Sequence, residues 1–165
     1  MTTAGFRGEV LRGIEWFSHD FTGQRVAVVA PGREAAQIVP EVAATARSVK
    51  VFQEEPDWVV PVRVPGGRAV SAAVARFFLR TQVKDPWIRR LLTPHARFGS
   101  RRTAVSVGYY AALRHPDCKL ITWPVYAFVA DGVRTAEGVE HHVDCVVLGP
   151  GSVFARDEIT EGRPA

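Results

Sequence analysis

A chain of 165 residues, 47% hydrophobic and 23% charged with a mean hydropathy near zero, has material for one domain with a proper core and barely for two. That balance excludes global disorder, and no run approaches the roughly 20 apolar residues of a membrane span. The net charge of +4 rests mostly on arginine, but aromatic residues are not interleaved with it as a nucleic-acid stacking platform requires, so no nucleic-acid partner is expected.

Residues 1–20 read as a leader with fixed points at Phe6, Gly8 and Trp16. Residues 1–8 lack the apolar run of a signal peptide, which makes a cytoplasmic chain the default. A turn at Thr22-Gly23-Gln24 precedes the apolar run of residues 25–30, the pattern of a strand buried on both faces of a parallel sheet. After Pro31-Gly32-Arg33-Glu34, apolar residues at Ala35, Ile38, Val39, Val42 and Ala46 follow a helical period, and Pro40 inside it predicts a kink. Residues 49–53 read as a second strand, which completes a βαβ unit. Residues 56–68 are Pro- and Gly-rich loop, and 69–95 a helical insertion. Strand candidates follow at 103–107, 120–123, 125–129, 133–135 and 143–148, with Asp131-Gly132 as a hairpin turn. Residues 153–165 read as a tail, expected to fray from Arg156. The reading is thus an α/β, Rossmann-like three-layer domain over 21–152, with a mainly parallel sheet, a β-meander and the helical insertion. Cys118 and Cys145 lack metal-ligand spacing and are expected as two buried thiols, with no metal site. His141-His142 beside Glu140 reads as a solvated pair.

A nucleotide pyrophosphate is held where a parallel strand turns tightly into a helix, because glycines admit the phosphate and the helix end offers free N–H groups. The corresponding stretch is Ala30-Pro31-Gly32-Arg33-Glu34-Ala35. Against Gly-x-Gly-x-x-Gly/Ala, only Gly32 and the small Ala35 survive. Ala30 carries a Cβ that a positive φ would not accept. Glu34 suits the helix dipole yet competes with a phosphate for it. Gly32 reads equally well as a tight-turn glycine in a βαβ unit that binds nothing. Glu54 and Glu55 fall where an acid meets the adenosine ribose; they favour NAD over NADP if a cofactor binds, and otherwise are solvated strand-end acids.

The segment Phe6-Arg7-Gly8-Glu9-Val10-Leu11-Arg12-Gly13-Ile14-Glu15-Trp16 resembles the Baeyer–Villiger monooxygenase fingerprint Phe-x-Gly-x-x-x-His-x-x-x-Trp, with Arg12 in place of the histidine. Gln37-Ile38-Val39-Pro40-Glu41, Val83-Lys84-Asp85-Pro86-Trp87, Tyr109-Tyr110 and Asp144 continue a similarity to Baeyer–Villiger and flavin-containing monooxygenases from residue 6 to about 151. The resemblance implies a flavin-dependent oxidoreductase that uses NADP. Arg102 would match the arginine that stabilises the anionic flavin–oxygen adduct, and Arg101 a lysine near the 2′-phosphate. Glu54 stands where that family has the arginine that recognises this phosphate. Leu148-Gly149-Pro150-Gly151-Ser152 replaces its aromatic-Ala-Thr-Gly-Phe. The first flavin-binding Gly-x-Gly-x-x-Gly is missing ahead of residue 6. The expectation is therefore a nicotinamide-dinucleotide-binding portion without its FAD-binding segments. Such a portion would bind NAD or NADP, would not oxygenate alone, and would need a flavin-bearing partner chain. The alternative is a non-catalytic remnant or interaction module that self-associates and binds cofactor weakly or not at all.

Overall fold

In a computed structural model, the structure describes residues 3, 5–63, 65–95, 98 and 103–155. Five parallel strands make the central sheet: β1 (Glu9–Arg12), β2 (Arg25–Val29), β3 (Ser48–Phe52), β6 (Cys118–Ile121) and β10 (Cys145–Leu148). Their order across the sheet is β1-β10-β2-β3-β6. A three-stranded antiparallel meander, β7 (Val125–Val129), β8 (Gly132–Thr135) and β9 (Glu140–His142), is a separate sheet. A two-residue parallel pair, β4 (Val59–Val60) with β5 (Ala104–Val105), stands apart.

Side-chain parity along the parallel strands divides the interior into two cores. Val26 and Val28 of β2, Val49 and Val51 of β3, and Cys145 and Val147 of β10 face helix α1 (Gly32–Ala43). Helices α2 (Gly67–Gln82) and α4 (Tyr109–Leu113) send Phe78, Leu79, Tyr109 and Tyr110 into this same core. The alternate residues Ala27, Val29, Phe52, Val146 and Leu148 face the meander residues Phe128 and Val133. Helices, parallel sheet and meander are the expected three layers. The insertion consists of α2 and α3 (Pro86–Leu91). Asp85 starts α3 by accepting the N–H groups of Trp87 and Ile88, with Pro86 at the position that needs no donor.

Several details differ from the sequence reading. The fingerprint segment supplies an edge strand of the main sheet, β1, in which Leu11 alone is deeply buried, so the sequence reading did not include it. Pro40 lies inside helix α1, as the helical period required, and its ring packs against Gly108; a Cβ on that glycine would lie 3.1 Å from it. The hairpin turn is one residue earlier than expected. Val129 pairs with Gly132, which leaves Ala130 and Asp131 in the loop. Gly132 is needed for a different reason, since the His141 carbonyl passes 2.0 Å from where its Cβ would sit. Of the histidine pair, His142 is exposed as expected but His141 is half-buried: its ring packs edge-on to Phe52 at 5.4 Å, and burial, together with Lys50, lowers its pKa. Its neighbour Glu140 pairs with Arg134. Both cysteines are free and buried, and burial pushes each thiol up to about 12. No helix among the described residues is long and apolar enough to cross a membrane.

The N-terminal ends of the central strands are tied by Asp144. Its carboxylate accepts the Arg25 backbone N–H at 2.9 Å and the guanidinium at 2.6 and 3.0 Å. Its own N–H donates to the Arg25 carbonyl, and its carbonyl accepts the Glu9 N–H. The Arg25 side chain and N–H hold the Asp144 carboxyl at about 2, below its ordinary 3.8. A carboxyl depressed in the folded state stabilises the fold above the unfolded pKa and ceases to do so as pH falls through the folded one. The group is partly solvated, which limits the gain to a small one. Asp144→Asn is expected to lower the melting temperature by about 2–4 °C at pH 7. Thermal melts should show that offset shrinking between pH 4 and pH 2; an offset unchanged at pH 2 would show that the carboxylate charge is not its source.

Candidate functional site

The C-terminal ends of β2 and β3 open onto a cavity of about 320 Å³. In an open parallel sheet this is where ligands bind, at the strand ends and the head of the following helix. Val29, Ala30, Pro31 and Gly32 form one wall, Phe52, Glu54, Glu55 and Asp57 the next, and Trp123, Val125 and residues 151–154 close it. Trp123 is 52% exposed, so its indole faces the opening. The cavity therefore has an apolar, partly aromatic body with a rim of three acids.

The strand-to-helix turn fits together by close contact. No non-glycine residue has a positive φ among the described residues, so Ala30 is unstrained. Its methyl group is accommodated by Gly149, where a Cβ would come within 2.6 Å of it. Gly32 is needed because the 53–57 loop crosses directly over the helix head: a Cβ there would lie 2.6 Å from the Asp57 backbone nitrogen and 3.0 Å from Gln53 Nε2. Gln53 is buried and fixed in turn by the Tyr109 hydroxyl, which donates to its Oε1 at 2.5 Å.

Two carboxylates occupy the electropositive end of α1. Asp57 Oδ2 accepts the Arg33 backbone N–H at 2.9 Å. Glu34 Oε2 accepts the Gly151 N–H at 2.9 Å and so ties the helix to the loop after β10. Beyond that tie is a second cavity of about 520 Å³, lined among others by Trp16, Arg33, Glu34, Gln37, Arg63 and Thr103. Gly32 and Gly151 line the first cavity, Arg33, Glu34 and Pro150 the second, so the helix head and the Gly149–Gly151 turn form the partition between them.

The structure thus brings together six of the residues singled out from the sequence: Ala30, Pro31, Gly32, Arg33, Glu34 and Glu54. Arg33 and Glu34 line the second cavity and not the first. Arg101 and Arg102 lie outside the described residues; Thr103, which follows them, lines the second cavity. The sequence reading missed Asp57, Trp123 and the loop at residues 149–154, whose approach depends on long-range packing. The glycine pair Gly149 and Gly151 was the available signal. Arg12, in the position of the fingerprint histidine, donates to Thr3 Oγ1 at 2.7 Å, while its backbone N–H donates to Glu15.

No protein-family model matches the chain. Among curated proteins it is 28% identical to a Baeyer–Villiger monooxygenase of Pseudomonas aeruginosa over 95% of its length and 37% of the relative. It is 30% identical to an uncharacterized monooxygenase of Mycobacterium tuberculosis over 88% of its length, again 37% of the relative. The chain spans little more than a third of these relatives. Its fold is shared with an oxidized steroid monooxygenase bound to NADP, at a TM-score of 0.78 and 19% identity, covering 90% of this chain and 43% of that one. The open structure of cyclohexanone monooxygenase also has a TM-score of 0.78, with 92% and 45% covered. The chain is related to the Baeyer–Villiger, flavin-dependent monooxygenases, as the fingerprint segment implied.

The crossing at Gly32 yields a direct test of this geometry. Gly32→Ala is expected to destabilise the fold by about 1–3 kcal/mol, since the clash is with backbone rather than a movable side chain. Urea unfolding measures it; a variant as stable as the parent would contradict the close approach.

Proposed function

Starting from that kinship, we propose that the chain is the nicotinamide-dinucleotide-binding portion of a flavin-dependent monooxygenase of the Baeyer–Villiger type. The observation that carries the reading is the cavity at the ends of β2 and β3, set between Gly32 and Glu54. The adenine and ribose of the cofactor would lie in this first cavity, against Phe52 and Trp123, with Glu54 accepting from the ribose hydroxyls. The nicotinamide end would extend across the head of α1 toward Arg33, Arg63 and Thr103. A nicotinamide cofactor supplies hydride when bound.

The residues fit the two halves of a dinucleotide unequally. The first cavity suits an uncharged ring and a ribose. The helix head does not suit a pyrophosphate in this arrangement, because Asp57 holds the Arg33 N–H and the Glu34 carboxylate stands in the first turn, tied to the Gly151 N–H. Around the ribose, the acids Glu54, Glu55 and Asp57 disfavour a 2′-phosphate electrostatically, which makes NAD the preferred form. This chain's own residues would bind and orient the cofactor. By the resemblance, Arg102 would supply positive charge toward a flavin and Arg101 toward the nicotinamide cofactor; both lie outside the described residues. Oxygenation itself depends on a flavin site provided from outside these residues, by a flavin-bearing partner chain or segment.

A second reading, a docking module with little cofactor affinity, is favoured by β1. It lies at the sheet edge, and the turn after it exposes Ile14 at 83% and Phe17 at 77%. Self-association through that edge belongs to this reading.

Calorimetric titration with NAD and NADP tests the proposal. NAD is expected to bind several-fold more tightly than NADP, and Glu54→Arg to reverse the order. Tighter NADP binding by the parent would overturn the role of Glu54. Absence of both would overturn the dinucleotide reading and leave the docking module.

A further inference from the structure

The partition between the two cavities carries a consequence for selectivity. A phosphate held at the head of a helix needs unclaimed N–H donors and the positive end of the dipole. Here the Arg33 N–H belongs to Asp57 and the Gly151 N–H to Glu34, each at 2.9 Å. The Glu34 carboxylate is packed into the turn: Cβ atoms on Gly149 and Gly151 would lie 2.4 and 2.7 Å from its oxygens. Both glycines are therefore shaped around a carboxylate of the chain's own helix. The cation in this stretch, Arg33, lines the far cavity, and no lysine or arginine lines the near one among the described residues. An incoming pyrophosphate would meet two internal anions and would have to displace them.

We propose that Asp57 and Glu34 are selectivity residues that act as internal substitutes for phosphate. They close the passage between the cavities, so the first cavity takes a nucleoside about as tightly as the corresponding dinucleotide. The inference rests on the reading of the first cavity as an adenosine site. The charge of the two carboxylates, rather than their hydrogen bonding, opposes the phosphate. Isosteric amides retain an oxygen to accept each N–H and remove the charge.

The test compares the parent chain with the double variant Glu34→Gln, Asp57→Asn by calorimetry, using adenosine, NAD and inorganic pyrophosphate as separate probes. The parent is expected to bind adenosine and NAD within about threefold of each other and to show no saturable pyrophosphate binding. The double variant should gain about tenfold for NAD and should bind pyrophosphate measurably, while Glu34→Gln alone, at a residue outside the lining of the first cavity, changes adenosine less than twofold. If the double variant fails to fold, each single variant should show about a threefold gain for NAD and pyrophosphate. A merely structural role for the two residues would move adenosine as much as NAD. NAD binding that is equal in parent and variant, or pyrophosphate that binds neither, overturns the proposal and leaves the cofactor reading standing where NAD binds. Pyrophosphate gained by the variant while adenosine and NAD bind nothing upholds the internal-anion assignment and overturns the adenosine site.

Discussion

The position of β10 between β1 and β2 is the constraint on which the rest of the structure depends. Its four residues are buried on both faces and pair in register with β1 on one side and β2 on the other. The strand is separated from β2 by more than a hundred residues of chain, so the sheet joins its two neighbours only after a long loop has closed. Polar contacts fix it at both ends. Asp144 and Arg25 set the register at the start. At the finish, the Gly149 N–H donates to the Val29 carbonyl, which brings residues 149–154 over the head of α1. The first cavity exists because that return loop arrives there; without it, the ends of β2 and β3 would face open solvent.

The same loop imposes a conflict between stability and ligand binding. The head of α1 has N–H groups without helical partners, and leaving them unpaired beneath a crossing loop would be costly. Asp57 meets this need by accepting from the Arg33 N–H, and Glu34, in the first turn, accepts from the Gly151 N–H of the return loop. In doing so they bring negative charge to the place where a dinucleotide needs its absence. The fold takes up these donors, and the acids at Glu54 and Glu55 add to the negative field of the first cavity. A neutral aromatic ligand part is favoured there over an anionic one by both effects.

Much of this architecture was legible in the sequence because it is local. The apolar runs of β2 and β10, the period of α1 and the acids after β3 are each written in fewer than fifteen consecutive residues. Ala30, Gly32, Glu34 and Glu54 could be singled out from these patterns alone. The remainder depends on distant packing. Strand β1 has a burial pattern of one deeply buried residue, Leu11, among partly exposed neighbours, too weak a signal for a period. The pair β4–β5 joins two-residue segments more than forty residues apart. Asp57 sits in a Pro-rich loop, and its capping of a helix 24 residues earlier leaves no trace in local sequence. The misfit of Ala30 to the glycine pattern was visible, but its compensation by Gly149 was not, because the two meet only in the folded sheet.

The claim that the cavity at the ends of β2 and β3 is the adenosine site is tested most directly by amide hydrogen exchange of the intact chain with and without saturating NAD. The account predicts slower exchange at residues 52–57 and 149–154 together, the two segments that meet across the cavity, with the helices at 67–91 unchanged. Protection confined to those helices or to the outer edge of β1, with residues 52–57 and 149–154 unaffected, would contradict it.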